Sequence, residues 1–184
     1  MTPQPPMLND FVNIHTHNPA EGSVARTIVN LEPEQNPDAC GWYSTGIHPW
    51  RAAEADRLWP LVENSAAHPH VVAIGECGLD ALRGPQLEIQ REVFIRHISL
   101  SETLYKPLII HAVRTWPQLI ALRKSTKATM DWIIHGFRGN ATLAEELLRH
   151  GFSLSFGTRF NPDAYNATPA DRRYRETDSP PLSE

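Results

Sequence analysis

Apolar residues fall in short runs along this 184-residue chain, and stretches with helical spacing separate the later ones. Eight runs read as strands: Phe11–His17, Ser23–Asn30, Gly41–His48, Val71–Glu76, Pro107–His111, Met130–His135, Gly151–Phe156 and Arg173–Asp178. Several are almost continuously aliphatic, Val-Val-Ala-Ile, Leu-Ile-Ile and Trp-Ile-Ile among them. Such runs suit parallel strands covered on both faces. Helical patterns span Ala52–Ala67, Gln86–Thr103, Thr115–Lys124 and Ala141–His150, and a polar stretch fills Thr158–Arg172. Strand–helix alternation predicts a parallel α/β fold, and eight strands suit a (β/α)8 TIM barrel. That fold usually takes about 250 residues. The barrel is therefore expected to be distorted and shortened, with no helices after the last strand.

Composition narrows the partners. Seventeen Lys and Arg against 21 Asp and Glu leave a formal charge of −4, so nothing attracts nucleic acid globally. Phosphate binding would have to come from local groups or bound cations. Two cysteines, Cys40 and Cys77, make no disulfide framework and point to reduced thiols in a cytoplasmic protein. The start has neither a basic region nor an apolar one, so no signal peptide is expected. No apolar run approaches the ~18–20 residues of a membrane span. One domain is expected over 1–184, with a Pro-rich segment at 1–10.

The candidate chemistry sits at strand ends. A parallel barrel gathers the C-terminal ends of its strands on one face, so residues far apart in sequence meet there. In Asn13-Ile14-His15-Thr16-His17 the strand period of two puts Asn13, His15 and His17 on one face, where two imidazoles can grip one divalent ion. Glu76 lies between Gly75 and Cys77-Gly78, and a carboxylate there could bridge two ions, one per oxygen. Alternation turns Cys77 away as a small buried hydrophobe. Asp80 reads as a turn former. His111 and His135 each end an aliphatic run, and Arg114 and Arg138 follow them by three residues as candidate phosphate binders. His48 ends the third strand and is expected to line the pocket, while Asp178 ends the last as a metal ligand or general base. The pair His68 and His70 precedes its strand and belongs to the opposite, stability face. His97 and His150 fall on helices.

Six ordered segments carry a family resemblance: Phe-Val-Asn-Ile-His-Thr-His, Gly-Ile-His-Pro, Gly-Glu-Cys-Gly-Leu-Asp, Ile-Ile-His-Ala-Val-Arg, Ile-Ile-His-Gly-Phe-Arg-Gly and Glu-Thr-Asp-Ser-Pro. Together, over about residues 11–181, they resemble the TatD family of metal-dependent hydrolases, often described as deoxyribonucleases, in the amidohydrolase-like TIM-barrel superfamily. The resemblance implies two divalent ions: one held by His15, His17 and Asp178, the second by His111 and His135, with Glu76 bridging. Zn, Mn, Co, Ni and Mg all suit such ligands. It implies cleavage of DNA or a small phosphodiester by metal-activated water, with Asp178 as the general base. Hydrolysis of an amide, ester or lactone is the alternative on the same site, and a non-catalytic metal-binding protein is the other.

Three features depart from the family pattern. Asn13 stands where the family has Asp, which removes a charge beside the histidine pair, and restoring Asp is the change expected to revive a degenerate site. Arg114 comes one residue later than in the common His-x-Arg form. The chain ends six residues after Asp178. The seam between last and first strands is thus expected to need a cover, from the N-terminal segment or from a second copy in a homo-oligomer.

Overall fold

The computed structural model describes residues 5–23 and 26–180. Positions 1–4 of the Pro-rich segment, 24–25 of the expected second strand, and 181–184 lie outside the described residues. Eight strands form one sheet in sequence order: β1 Asn13–Thr16, β2 Thr27–Leu31, β3 Trp42–Thr45, β4 Val71–Asp80, β5 Leu108–Val113, β6 Trp132–Ile134, β7 Phe152–Phe156 and β8 Arg173–Arg175. Each pairs in parallel with the next. Two hydrogen bonds just past the ends of β1 and β8 join the ring: Asp178 N–H to the His15 carbonyl at 3.1 Å, and His17 N–H to the Ser179 carbonyl at 2.9 Å. The fold is the expected TIM barrel.

Among the described residues, five helices cover the sheet: α1 Ala55–Ala66, α2 Leu87–Leu104, α3 Trp116–Thr126, α4 Ala141–Arg149 and α5 Pro162–Ala167. The first four match the expected patterns. The fifth lies in the stretch read only as polar; Asn161 caps it by accepting from the N–H groups of Asp163 and Ala164, and Pro162 opens it. Two strand limits also differ from expectation. β4 runs four residues beyond Glu76 to Asp80, and β8 stops three residues before Asp178.

The period of two sorts side chains between two layers. Outward residues such as Ile74, Cys77, Leu108, Trp132, Ile134, Phe152 and Leu154 pack under Phe94 and Ile98 of α2, Leu119 of α3 and Leu147 of α4. Burying one such large side chain contributes about 1.5–3 kcal/mol. A separate cluster of Ile47, Leu58, Trp59 and Val62 seats α1 against Val93. A third joins Phe11, Ile14, Ile28, Ile133 and Tyr174. Strands β2 and β6 stand on opposite sides of the ring, so a cluster holding both Ile28 and Ile133 spans the interior. The barrel is therefore packed rather than hollow.

Among the described residues, the seam is covered only in part. Leu8 and Phe11 from the N-terminal segment pack into the cluster that contains Tyr174 of β8. Beside them a groove of about 990 Å³ stays open, lined by Val12, Phe156, Phe160 and Tyr174 among others. Over its described residues the expected N-terminal cover is partial. Among the described residues, no helix is long and apolar enough to cross a membrane.

Candidate metal centre

A bulge puts Glu76 at the centre of the barrel mouth. Between Ile74 and Cys77 the strand β4 carries one more residue than its partner segment Leu108–Ile110, so the ladder is interrupted at Gly75-Glu76. Gly75 and Gly78 have φ of +139° and +140°, and a Cβ on either would overlap the carbonyl oxygen of Ile109 or His111 on β5. Both positions require glycine. The pair lets β4 press against β5 while the Glu76 carboxylate turns inward, buried.

Each oxygen of that carboxylate has its own set of imidazoles. Oε1 lies 2.8 Å from His111 Nδ1, 2.8 Å from His135 Nε2 and 3.2 Å from His48 Nε2. Oε2 lies 3.1 Å from His17 Nε2 and 3.4 Å from His15 Nε2. Asp178 joins the second set, its Oδ1 at 3.7 Å from His15 Nε2 and 3.9 Å from His17 Nε2. All six expected ligands, with His48, therefore meet at one place. Three triads have ligand atoms within 4.8 Å of one another: His15, His17 and Glu76; His15, His135 and Asp178; His48, Glu76 and His111. His48 enters the cluster itself, beyond the pocket-lining place expected of it, because its Nδ1 caps the 3₁₀ turn Pro49–Glu54 and leaves Nε2 facing inward.

The donor set fits divalent cations. Both ring nitrogens of His15 are fully buried and make no hydrogen bond, an expensive arrangement for an imidazole unless something else binds it. Imidazole nitrogens and carboxylates packed this closely suit Zn-type ions.

Supporting carboxylates orient the rings. Glu176, buried on the interior side, lies 3.3 Å from His135 Nδ1. Asp80 Oδ2 lies 3.1 Å from His111 Nε2, and Asp80 also accepts from the Leu82 and Arg83 N–H groups, so the expected turn former holds an imidazole as well. Partners of this kind fix ring tautomer and direction. Electrostatics follow the same wiring. Burial alone would raise the Glu76 carboxyl, but His135, His111 and His15 outweigh it and hold the group well below the usual carboxylate range. Burial likewise opposes charge on His135, yet Glu76 and Glu176 drive it well above the usual imidazole value. His17 is raised chiefly by its hydrogen bond to Glu76.

Asn13 departs from its expected place. A bulge in β1 between Asn13 and Thr16 breaks the strict alternation, so Asn13 turns from the histidine pair to the seam. Its Oδ1 accepts from the N–H groups of His15 and Thr177, and its amide donates to Glu21 Oε2 at 3.0 Å and Thr177 Oγ1 at 2.9 Å. Asp at this position would lose both donors and face Glu21, so the amide suits its setting here. Asp178 follows Thr177 with φ 50°, a left-handed conformation that Asp tolerates better than most residues.

The mouth opens into a cavity of about 350 Å³, lined by His17, His48, Glu76, His111, His135 and Asp178 together with Glu32, Trp50 and Arg51. The last three were not among the expected residues. Arg51 is held by Glu32, Glu34 and Glu54 at 2.6–3.0 Å. Arg138 lies with Arg159 and Thr158 around a small polar recess beside Asp178. Arg114 is exposed past β5 and does not line the cavity. Cys77 is fully buried away from the mouth, and burial pushes its thiol up.

Imidazoles and carboxylates collected at the C-terminal mouth of a parallel barrel define a class, the barrels that present a candidate metal site on their functional face. The particular family follows from comparison. The chain belongs to the TatD related DNase family, whose model matches residues 9–184. It is 35% identical over 150 residues to the uncharacterized metal-dependent hydrolase YcfH of Escherichia coli, covering 77% of this chain and 56% of that protein. It is 29% identical over 161 residues to the 3'-5' ssDNA/RNA exonuclease TatD of a Rahnella strain, covering 81% of this chain and 60% of that one. The chain thus spans somewhat over half the length of these relatives. Its fold superposes on the TatD homologue YjjV of Escherichia coli with a TM-score of 0.78 at 24% identity, over 94% of this chain and 80% of that one.

Proposed function

We propose that this protein is a metal-dependent phosphodiesterase acting on DNA or a related nucleic acid strand. The observation that carries the reading is the division of Glu76: two sets of imidazoles, one at each carboxylate oxygen, with a fully buried His15 whose ring nitrogens make no hydrogen bond. His15, His17 and Asp178 would hold one cation, His111 and His135 a second with His48 beside them, and Glu76 would bridge. When bound, such cations lower the pKa of coordinated water and neutralise charge on a phosphoryl group. The chain's own groups do the rest. Asp178, with 37% of its side chain exposed at the cavity edge, accepts the proton of the attacking water. Glu176 and Asp80 keep His135 and His111 aimed at Glu76.

The polarity of the surroundings supports a phosphate substrate on one side. A larger recess of about 620 Å³ reaches from His17 past Glu32 and Asp38 and repels polyanions. Arg138 and Arg159 flank the opposite recess beside Asp178, where the next phosphate of a strand would be held. The name of the Rahnella relative, a 3'-5' exonuclease on single-stranded DNA and RNA, agrees with this substrate class.

The test is hydrolysis by metal-loaded protein of labelled single-stranded DNA, duplex DNA and bis-p-nitrophenyl phosphate, beside carboxylic ester and lactone substrates. Expected are phosphodiester cleavage, its loss on chelation, and a fall of about 10²–10³-fold in Asp178→Asn. Cleavage of carbonyl substrates alone would overturn the reading.

A further inference from the structure

Most of the cavity wall is charged or imidazole, and Trp50 is the exception. Its indole lines the same cavity as Glu76, His111 and Asp178, yet 44% of its surface remains exposed. The ring is not free to move aside. Its Nε1–H donates to Asp80 Oδ2 at 2.7 Å, and Asp80 is itself buried and tied to the Leu82 and Arg83 N–H groups. The same Asp80 oxygen lies 3.1 Å from His111 Nε2. His48 approaches the indole at 4.6 Å between centroids and His111 at 5.9 Å, both nearly perpendicular to it. The Arg83 guanidinium lies over one face of the ring, 4.9 Å from its centre, so a stacked ligand would take the other face. One buried carboxylate therefore fixes an aromatic surface beside His48 and His111, two of the three imidazoles that face Glu76 Oε1.

A bare phosphodiester has nothing to place against such a surface, whereas a nucleotide carries a planar base one sugar away from its phosphate. Base–aromatic stacking is strong and tolerant of sequence. Arg51 cannot supply the same affinity through phosphate, because three carboxylates already occupy its guanidinium. We propose that Trp50 is the base-stacking and specificity-determining residue of this site, receiving the nucleobase next to the scissile phosphate. This assignment rests on the phosphodiesterase reading above.

The experiment compares a short single-stranded oligodeoxynucleotide with the same strand carrying an abasic residue on either side of the cleaved bond. Wild-type protein, metal-loaded, is expected to prefer the intact strand by about 10–100-fold in kcat/KM, chiefly through KM. In Trp50→Leu that preference collapses toward one, and in Trp50→Phe most of it survives. A second measurement needs no turnover. Thymidine 5'-phosphate should quench tryptophan fluorescence of the metal-loaded protein, deoxyribose 5-phosphate should not, and Trp50→Phe should abolish the quench. Equal losses on intact and abasic strands in Trp50→Leu would mean that the indole only supports Asp80 and His111, and would overturn the proposal. So would an unchanged preference. A wild-type protein that cleaves bis-p-nitrophenyl phosphate but shows no base preference sinks the stacking role alone; one that cleaves no phosphodiester sinks both readings.

Discussion

The chain spells His-x-His twice, and the two copies lead opposite lives. His15 and His17 emerge at the C-terminal end of β1, where their Nε2 atoms face the two acids Glu76 and Asp178 and His15 finds no hydrogen-bond partner at all. His68 and His70 precede β4 at the other end of the barrel. There His70 Nδ1 donates to the Gly41 carbonyl at 2.7 Å and the ring stacks on Trp42 at 4.8 Å, while His68 Nδ1 accepts the His70 N–H. One pair is satisfied by the fold. In the other, His17 holds Glu76 while both ring nitrogens of His15 stay without a hydrogen bond. The lesson is that the position of a histidine relative to its strand, rather than the motif, decides what its nitrogens are for.

The sharpest way to break this contrast is at its centre. Glu76→Gln removes the charge both imidazole sets share and should lower phosphodiesterase turnover on the order of 10³-fold, with the circular dichroism spectrum unchanged. His70→Ala, measured in the same assay, should leave kcat unaltered.

A third histidine sharpens the comparison through pH. His97 is fully buried on α2, with Nε2 accepting the Ile47 N–H and Nδ1 donating to the Val93 carbonyl, and burial pushes its pKa down to about 4 from 6.5. Its neutral form is the folded form. Its contribution is therefore complete above pH 6.5 and is lost as pH falls from 6.5 toward 4, by about 3 kcal/mol. Denaturant unfolding of wild type and His97→Gln across that range checks the sign, since the variant should lack this portion of the slope.

Asn13→Asp examines the seam. The carboxylate would drop two hydrogen bonds and stand against Glu21, whose own carboxyl, despite the upward push of burial, is held low by Thr177, Ser179, Thr16 and Asn13. A loss of about 1–3 kcal/mol in chemical unfolding is expected, with activity falling rather than reviving as Thr177, next to Asp178, loses a partner. Thermal scans of His70→Ala should show the smallest effect, about 1 kcal/mol for one backbone hydrogen bond.

The barrel was readable because its aliphatic runs are nearly uninterrupted, and the six candidate ligands were readable because they close or interrupt those runs. What escaped reading lies where periodicity fails. Trp50 and Arg51 belong to a 3₁₀ turn, and α5 is only six residues long. The bulge in β1 turned Asn13 to the seam against the simple alternation. Glu176 was within reach: two residues before Asp178 on an extended segment, it shares the inward side and so meets His135. Asp80 showed its turn chemistry but not its grip on His111 and Trp50, because the bulge that aims it is invisible in the residue order.

The most direct measurement is the metal content of purified, metal-incubated and desalted protein, read by elemental analysis for wild type, His15→Ala/His17→Ala and His68→Ala/His70→Ala. The account predicts about two divalent cations per chain in wild type and in the His68/His70 variant, with a loss in the His15/His17 variant. A wild type that retains no metal, or two variants that retain equal amounts, would contradict it.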